Sequence, residues 1–135
     1  MIKSKWRRWA VTGVAILALA PVIPGLLLAE AHSFTAKSSV TIRWAHRHHK
    51  FHGTVDSKRV LCVPGRTVDV FKARPGRDRL IGSDVTGNQG KYSVRYHKRH
   101  ARGRFYAKVL RSSSGGYGHS HVCQKARSDT IHIGS

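Results

Sequence analysis

Apolar and polar residues alternate with a period of two through most of the chain beyond residue 31. Val40, Ile42 and Trp44 are separated by Thr41 and Arg43, Phe51, Gly53 and Val55 by His52 and Thr54, and Val68 and Val70 by Asp69. The pattern returns at Tyr92, Val94 and Tyr96, at Phe105, Ala107 and Val109, and at Ile131 and Ile133. Successive side chains of an extended chain point to opposite faces, so each run predicts a half-buried β-strand with one face to a core and one to solvent. Turn-forming stretches punctuate the runs: Val63-Pro64-Gly65, residues 74–78 (RPGRD), residues 86–90 (TGNQG) and residues 112–116 (SSSGG). No interval between them reaches the length of a typical helix. About seven short strands at this spacing predict an all-β domain built as an antiparallel β-sandwich, with a small barrel as the competing closure.

Residues 1–31 follow a different rule. Lys3, Lys5, Arg7 and Arg8 precede an uncharged run over residues 10–29, which ends in Ala29-Glu30-Ala31. A basic start, an apolar stretch and an A-x-A site predict a secretory signal peptide, with the mature protein beginning at His32. The competing reading is a retained membrane anchor, because the run is also just long enough to span a bilayer. Pro21 and Pro24 interrupt such a helix and favour cleavage; attachment to a membrane follows only if the leader stays. The chain thus divides into a signal peptide (1–31), a His-rich segment with a candidate first strand (32–49) and a β-sandwich domain (50–135).

Export changes the meaning of the remaining composition. Beyond the leader, 21 Lys and Arg face five aspartates, a formal charge of +16 over 104 residues with no glutamate, and all ten histidines lie there. Such a charge points to anionic partners in the extracellular space: an anionic polymer, a cell-envelope surface, or nucleic acid held without sequence specificity. Plain solubility of a secreted domain is the alternative. The two cysteines, Cys62 and Cys123, become disulfide candidates in an oxidising compartment. A bridge would close a loop of about 60 residues, which chain entropy values at about 4 kcal/mol. Free buried thiols or a metal site are the alternatives, the second without the C-x-x-C spacing that zinc sites favour.

At this point the residues resemble a known superfamily. Phe51-His52-Gly53-Thr54-Val55, Cys62, Arg66-Thr67-Val68-Asp69-Val70, Leu80-Ile81-Gly82-Ser83-Asp84 and Thr86-Gly87-Asn88-Gln89-Gly90-Lys91-Tyr92 resemble the transthyretin-like, carboxypeptidase-regulatory-like β-sandwiches. The likeness covers about residues 50–133, with Phe105-Tyr106-Ala107-Lys108-Val109 at the place of a late core strand. It implies a prealbumin-like sandwich, and secreted members carry a cysteine pair in comparable places. Gly87 stands where the family usually has Asp, which removes the side chain that a cation or an Asx-turn would use. Members that hydrolyse 5-hydroxyisourate end in Tyr-Arg-Gly-Ser and use histidine and arginine in a central channel. This chain reads Ile131-His132-Ile133-Gly134-Ser135 in that place and has no matching histidine motif near the expected mature start, so that activity is not carried over.

Catalytic signatures are otherwise missing from the sequence. It holds no G-x-S-x-G, H-E-x-x-H or P-loop, and Asp56, Asp69, Asp78, Asp84 and Asp129 are scattered among turns and strand edges. The expectation is a non-catalytic protein. Histidine and basic residues carry the remaining signal. In an extended chain His46 and His48, or His119 and His121, would each present two imidazoles on one side, a candidate zinc or copper site. Arg47 and Lys50 in the first histidine cluster, and Arg95, Lys98, Arg99, Arg102 and Arg104 in the densest basic run, are the candidate polyanion contacts. That run is expected at the tip of a hairpin between two strands. Imidazoles gain charge on acidification, so affinity for an anionic surface is expected to rise as pH falls.

Overall fold

A computed structural model describes residues 32–134. The expected signal peptide lies outside the described residues. Twelve strands and two single-turn 3-10 helices build the described chain. Five strands make one sheet: β5 Thr67–Ala73 lies between β6 Arg79–Val85 and β8 Gly103–Val109, while β11 Ala126–Arg127 and β12 Ile131–Ile133 pair with the far edge of β8. The second sheet is centred on β4 Lys50–Ser57. On one edge β4 pairs with β7 Lys91–Arg95, and on the other with β2 Ser38–Val40 and β3 Arg43–Ala45, which run end to end in one continuous register.

The alternation decides what lies between the sheets. Val40, Ile42, Phe51, Val55, Tyr92 and Val94 from one sheet meet Val68, Val70, Phe105, Ala107 and Val109 from the other. Phe51 packs against Trp44 and Phe105 with ring centroids 4.7 Å apart in both pairs. The break between β2 and β3 has a local cause. Thr41 hydrogen-bonds Thr54 through its backbone amide (2.9 Å), and its side-chain oxygen accepts the Thr54 amide (3.0 Å). Its carbonyl oxygen takes the Tyr92 hydroxyl (2.5 Å), so the backbone dips toward Gly53. A Cβ at Gly53 would sit 2.0 Å from that carbonyl oxygen, so only glycine permits the approach.

A third sheet, β1 Ser33–Ala36, β10 His119–Cys123 and β9 Ser112–Gly116, adjoins the sandwich. β1 runs parallel to β10, an exception to the antiparallel rule expected from the alternation. Cys62 and Cys123 form a disulfide across a sequence separation of 61 residues, and with Ala36 and Phe34 they make a second small core. The bridge points to an oxidising compartment.

Twelve strands replace the expected seven because several carry no alternation. β6 exposes Leu80 and Val85 along a sheet edge and has a register shift against β5 at Val70 and Phe71. Residues 112–116, expected as a turn, are strand β9; the turn is Tyr117-Gly118, both with positive φ. A Ser and Gly run lacks apolar signal, and only its pairing with β10 makes it a strand. The 95–104 segment is also not a hairpin. β7 pairs with β4 and β8 with β5, so this segment crosses from one sheet to the other.

Buried beside the disulfide is Arg66, 1 % exposed. One terminal nitrogen donates to Ser38 Oγ (2.9 Å) and to the Cys62 carbonyl (2.8 Å). The other donates to the carbonyls of Leu110 (2.8 Å) and Gln124 (3.0 Å). No carboxylate is among these acceptors. Burial pushes the guanidinium pKa below its ordinary value, yet arginine starts so high that it stays charged at neutral pH. Four segments distant in sequence, the Cys62 turn, β2 and the ends of β8 and β10, are thus tied to one cation.

Candidate functional site

The outward residues of β3, β4 and β7 form a grid of cations. Register places Lys50 between Ala45 and Arg95, and His52 between Arg43 and Ser93. One step further along the same face, Thr54 lies opposite Lys91. Facing residues in adjacent antiparallel strands stand about 4.5–5.5 Å apart, so Lys50 with Arg95 is a like-charge neighbour pair in the plane of the sheet, and Arg43 faces His52 one step along. Such pairs cost stability unless an anion or solvent answers them. Two acids adjoin this face: Asp56 is exposed near the end of β4, opposite Ser39, and Asp84, at the adjoining edge of β6, is already engaged. The Asp84 carboxylate accepts the amides of Val85 (2.8 Å) and Ser93 (2.7 Å).

An open cleft of about 740 Å³ lies over this grid, bordered by Arg43, His48, Lys50, His52, Lys91 and Asp84. His48 also borders a second depression of about 480 Å³, whose other walls include His49, Arg95, His97, Lys98 and Arg99. The junction is held by backbone: the Tyr96 amide donates to the His49 carbonyl at 2.8 Å. His49 caps the 3-10 turn His46–His48 in the left-handed region, φ 46°. That turn brings the first histidine cluster against the start of the 95–104 crossover.

The sequence-derived residues therefore fall into three groups. Lys50, Arg95, Lys98 and Arg99 come together around these two depressions, with Arg47 exposed on the neighbouring 3-10 turn. Arg102 and Arg104 lie at and beyond the far end of the crossover. Arg104 stands in β8 opposite Ala73 and His132, in the other sheet. The histidine pairs are the third group. His46 and His48 lie in a 3-10 turn, where the extended-chain rule that placed their rings on one side does not apply. His119 and His121 are in β10, in the third sheet; His119 stacks on His32, and His121 packs edge-on against Phe34 at 4.4 Å. Among the described residues, no group of three or more His, Cys, Asp or Glu stands close enough to hold a metal ion.

Arg43, His52 and Lys91 were missing from the sequence-derived set. Alternation does place each on the outward side of its strand. It says nothing of β3, β4 and β7 being neighbours, which gathers these three scattered residues on one surface. Comparison with family models, with curated proteins and with solved structures finds no match for the chain.

Proposed function

We propose that this protein is a secreted, non-catalytic module of transthyretin-like architecture that holds an anionic polymer or cell-envelope surface on the outer face of β3, β4 and β7. The observation that carries the reading is the register that sets Lys50 beside Arg95 and Arg43 beside His52, with Lys91 on the same face. A sheet face built only to be soluble gains nothing from cations in adjacent positions, and loses some stability by them. A chain of anions laid over the grid answers every one of them. The contacts are to charge, so the binding is electrostatic and without base specificity.

Replacing Arg43, Lys50, Lys91 and Arg95 together by glutamine tests the assignment. Each cation near an anionic surface contributes about 1 kcal/mol, so at low salt the variant is expected to bind long-chain polyphosphate about a thousandfold more weakly. Arg102→Gln with Arg104→Gln, in and beyond the crossover, is expected to cost less than about tenfold, since those charges lie outside the grid. The fourfold variant should melt no lower than the parent protein, because like-charge neighbours have been removed. Equal losses in the two variants would place the binding elsewhere.

A further inference from the structure

Most strands of the two main sheets carry Lys, Arg or Asp, whereas the third sheet departs from this. β1, β9 and β10 contain no Lys, Arg, Asp or Glu, and the uncharged run continues through residues 112–124. Among the described residues β9 is the outer strand, paired on one side only, with β10. Exposed edges are ordinarily guarded by charge, proline or a bulge, as β3 is by Arg43 and β6 by Arg79. β9 reads Ser-Ser-Ser-Gly-Gly and has none of these guards.

The free hydrogen-bonding groups of this edge can be assigned. The two-residue turn Tyr117-Gly118 makes Gly116 and His119 a hydrogen-bonded pair. Alternation then aims the amides of Ser112 and Ser114 at β10 as well, and those of Ser113 and Gly115 outward. The far side of β10 agrees, since the amides of Ser120 and Gln124 donate the other way, to His32 (3.3 Å) and Ala36 (2.9 Å).

We propose that the β9 edge pairs with the same edge of a second copy of this chain, antiparallel and centred on Ser114. In that register the outward amides and carbonyls of Ser113 and Gly115 meet the Gly115 and Ser113 of the partner subunit, and all four donors are satisfied. Arg111, exposed at one end of β9, falls opposite the fully exposed Tyr117 at the other, so both ends close with a cation on an aromatic face. Charge also selects the occupant. A second copy carries the same high positive charge and can approach closely only where that charge is missing, whereas a polyanion is drawn to the cationic grid instead.

Sedimentation equilibrium of the purified protein tests the pairing. A dimer is expected that strengthens as salt rises, because screening weakens repulsion between copies. Ser113→Pro removes one outward amide and no bond to β10, and is expected to leave a monomer with the disulfide intact. Ser114→Cys is expected to yield, on mild oxidation, a covalent dimer joined through the introduced thiols. A monomer at every salt and protein concentration overturns the proposal, as does a dimer that Ser113→Pro forms equally well. Should Ser113→Pro fail to fold, the Ser114→Cys result decides by itself, and absence of the crosslink counts against the pairing.

Discussion

Replacing Arg66 by methionine is expected to cost about 3–5 kcal/mol, because it takes the donor away from four acceptors gathered around one buried side chain. The carbonyls of Cys62, Leu110 and Gln124 each lose their guanidinium donor, and Ser38 Oγ loses a fourth. Exchanging a buried ion pair for apolar side chains is often neutral, since both charges leave together. Arg66 has no carboxylate partner among these contacts, so a substitution removes the donor and leaves every acceptor in place. For a domain of this size the expected loss corresponds to a fall in Tm of roughly 15–30 °C. Thermal unfolding followed by circular dichroism reads it directly. A variant melting within about 5 °C of the parent would mean that the site relaxes or admits water, and that Arg66 does not tie the chain together.

Removing the disulfide is the second large effect. Cys62→Ala with Cys123→Ala is expected to lower stability by about 4 kcal/mol on the chain-entropy account of a loop of this length. The sulfurs also fill the small core with Ala36 and Phe34, so the third sheet should lose order before the main sandwich does. Hydrogen exchange would show this as early loss of protection in β1, β9 and β10. Arg66 bonds the carbonyl of Cys62 itself and that of Gln124, next to Cys123. The two devices grip the same junction, and combining the substitutions should depart from additivity by about 0.5–3 kcal/mol. Strict additivity, or no preferential exposure of the third sheet, would contradict that picture.

Much of this architecture was legible because burial of one sheet face writes itself into alternation. Phe51 and Val55, Val68 and Val70, and Phe105, Ala107 and Val109 are all buried where the pattern placed them. The pairing of Cys62 with Cys123 also followed from composition and compartment, and the structure joins them. Strands that bury little were silent. Ser112–Gly116 has no apolar residue to alternate, and β6 is an edge whose larger side chains stay exposed. Arg66 left a trace that was easy to pass over: it shares parity with Val68 and Val70, the inward side of its strand. An arginine in that position signals a buried cation, but only the fold supplies the carbonyls that receive it.

The candidate surface was legible in its parts and not in its assembly. Composition marked the chain as strongly cationic, and Lys50 and Arg95 were singled out from two separate segments. That they are cross-strand neighbours depends on the β4 and β7 register, a long-range fact that local pattern does not contain. The same limit explains why Arg104 grouped with Arg95 in sequence but belongs to the opposite sheet.

The most direct test of the central claim is the salt dependence of polyanion binding by the purified protein. Titration calorimetry with long-chain polyphosphate would be run from 50 to 200 mM salt. Four cations engaged on the face predict a fall in affinity of about 50-fold over that range, from a slope of roughly −0.7 for each contact to a flexible polyanion. Affinity that stays flat with salt, or no binding even at the lowest salt, would contradict the assignment of the β3, β4 and β7 face as an electrostatic binding surface.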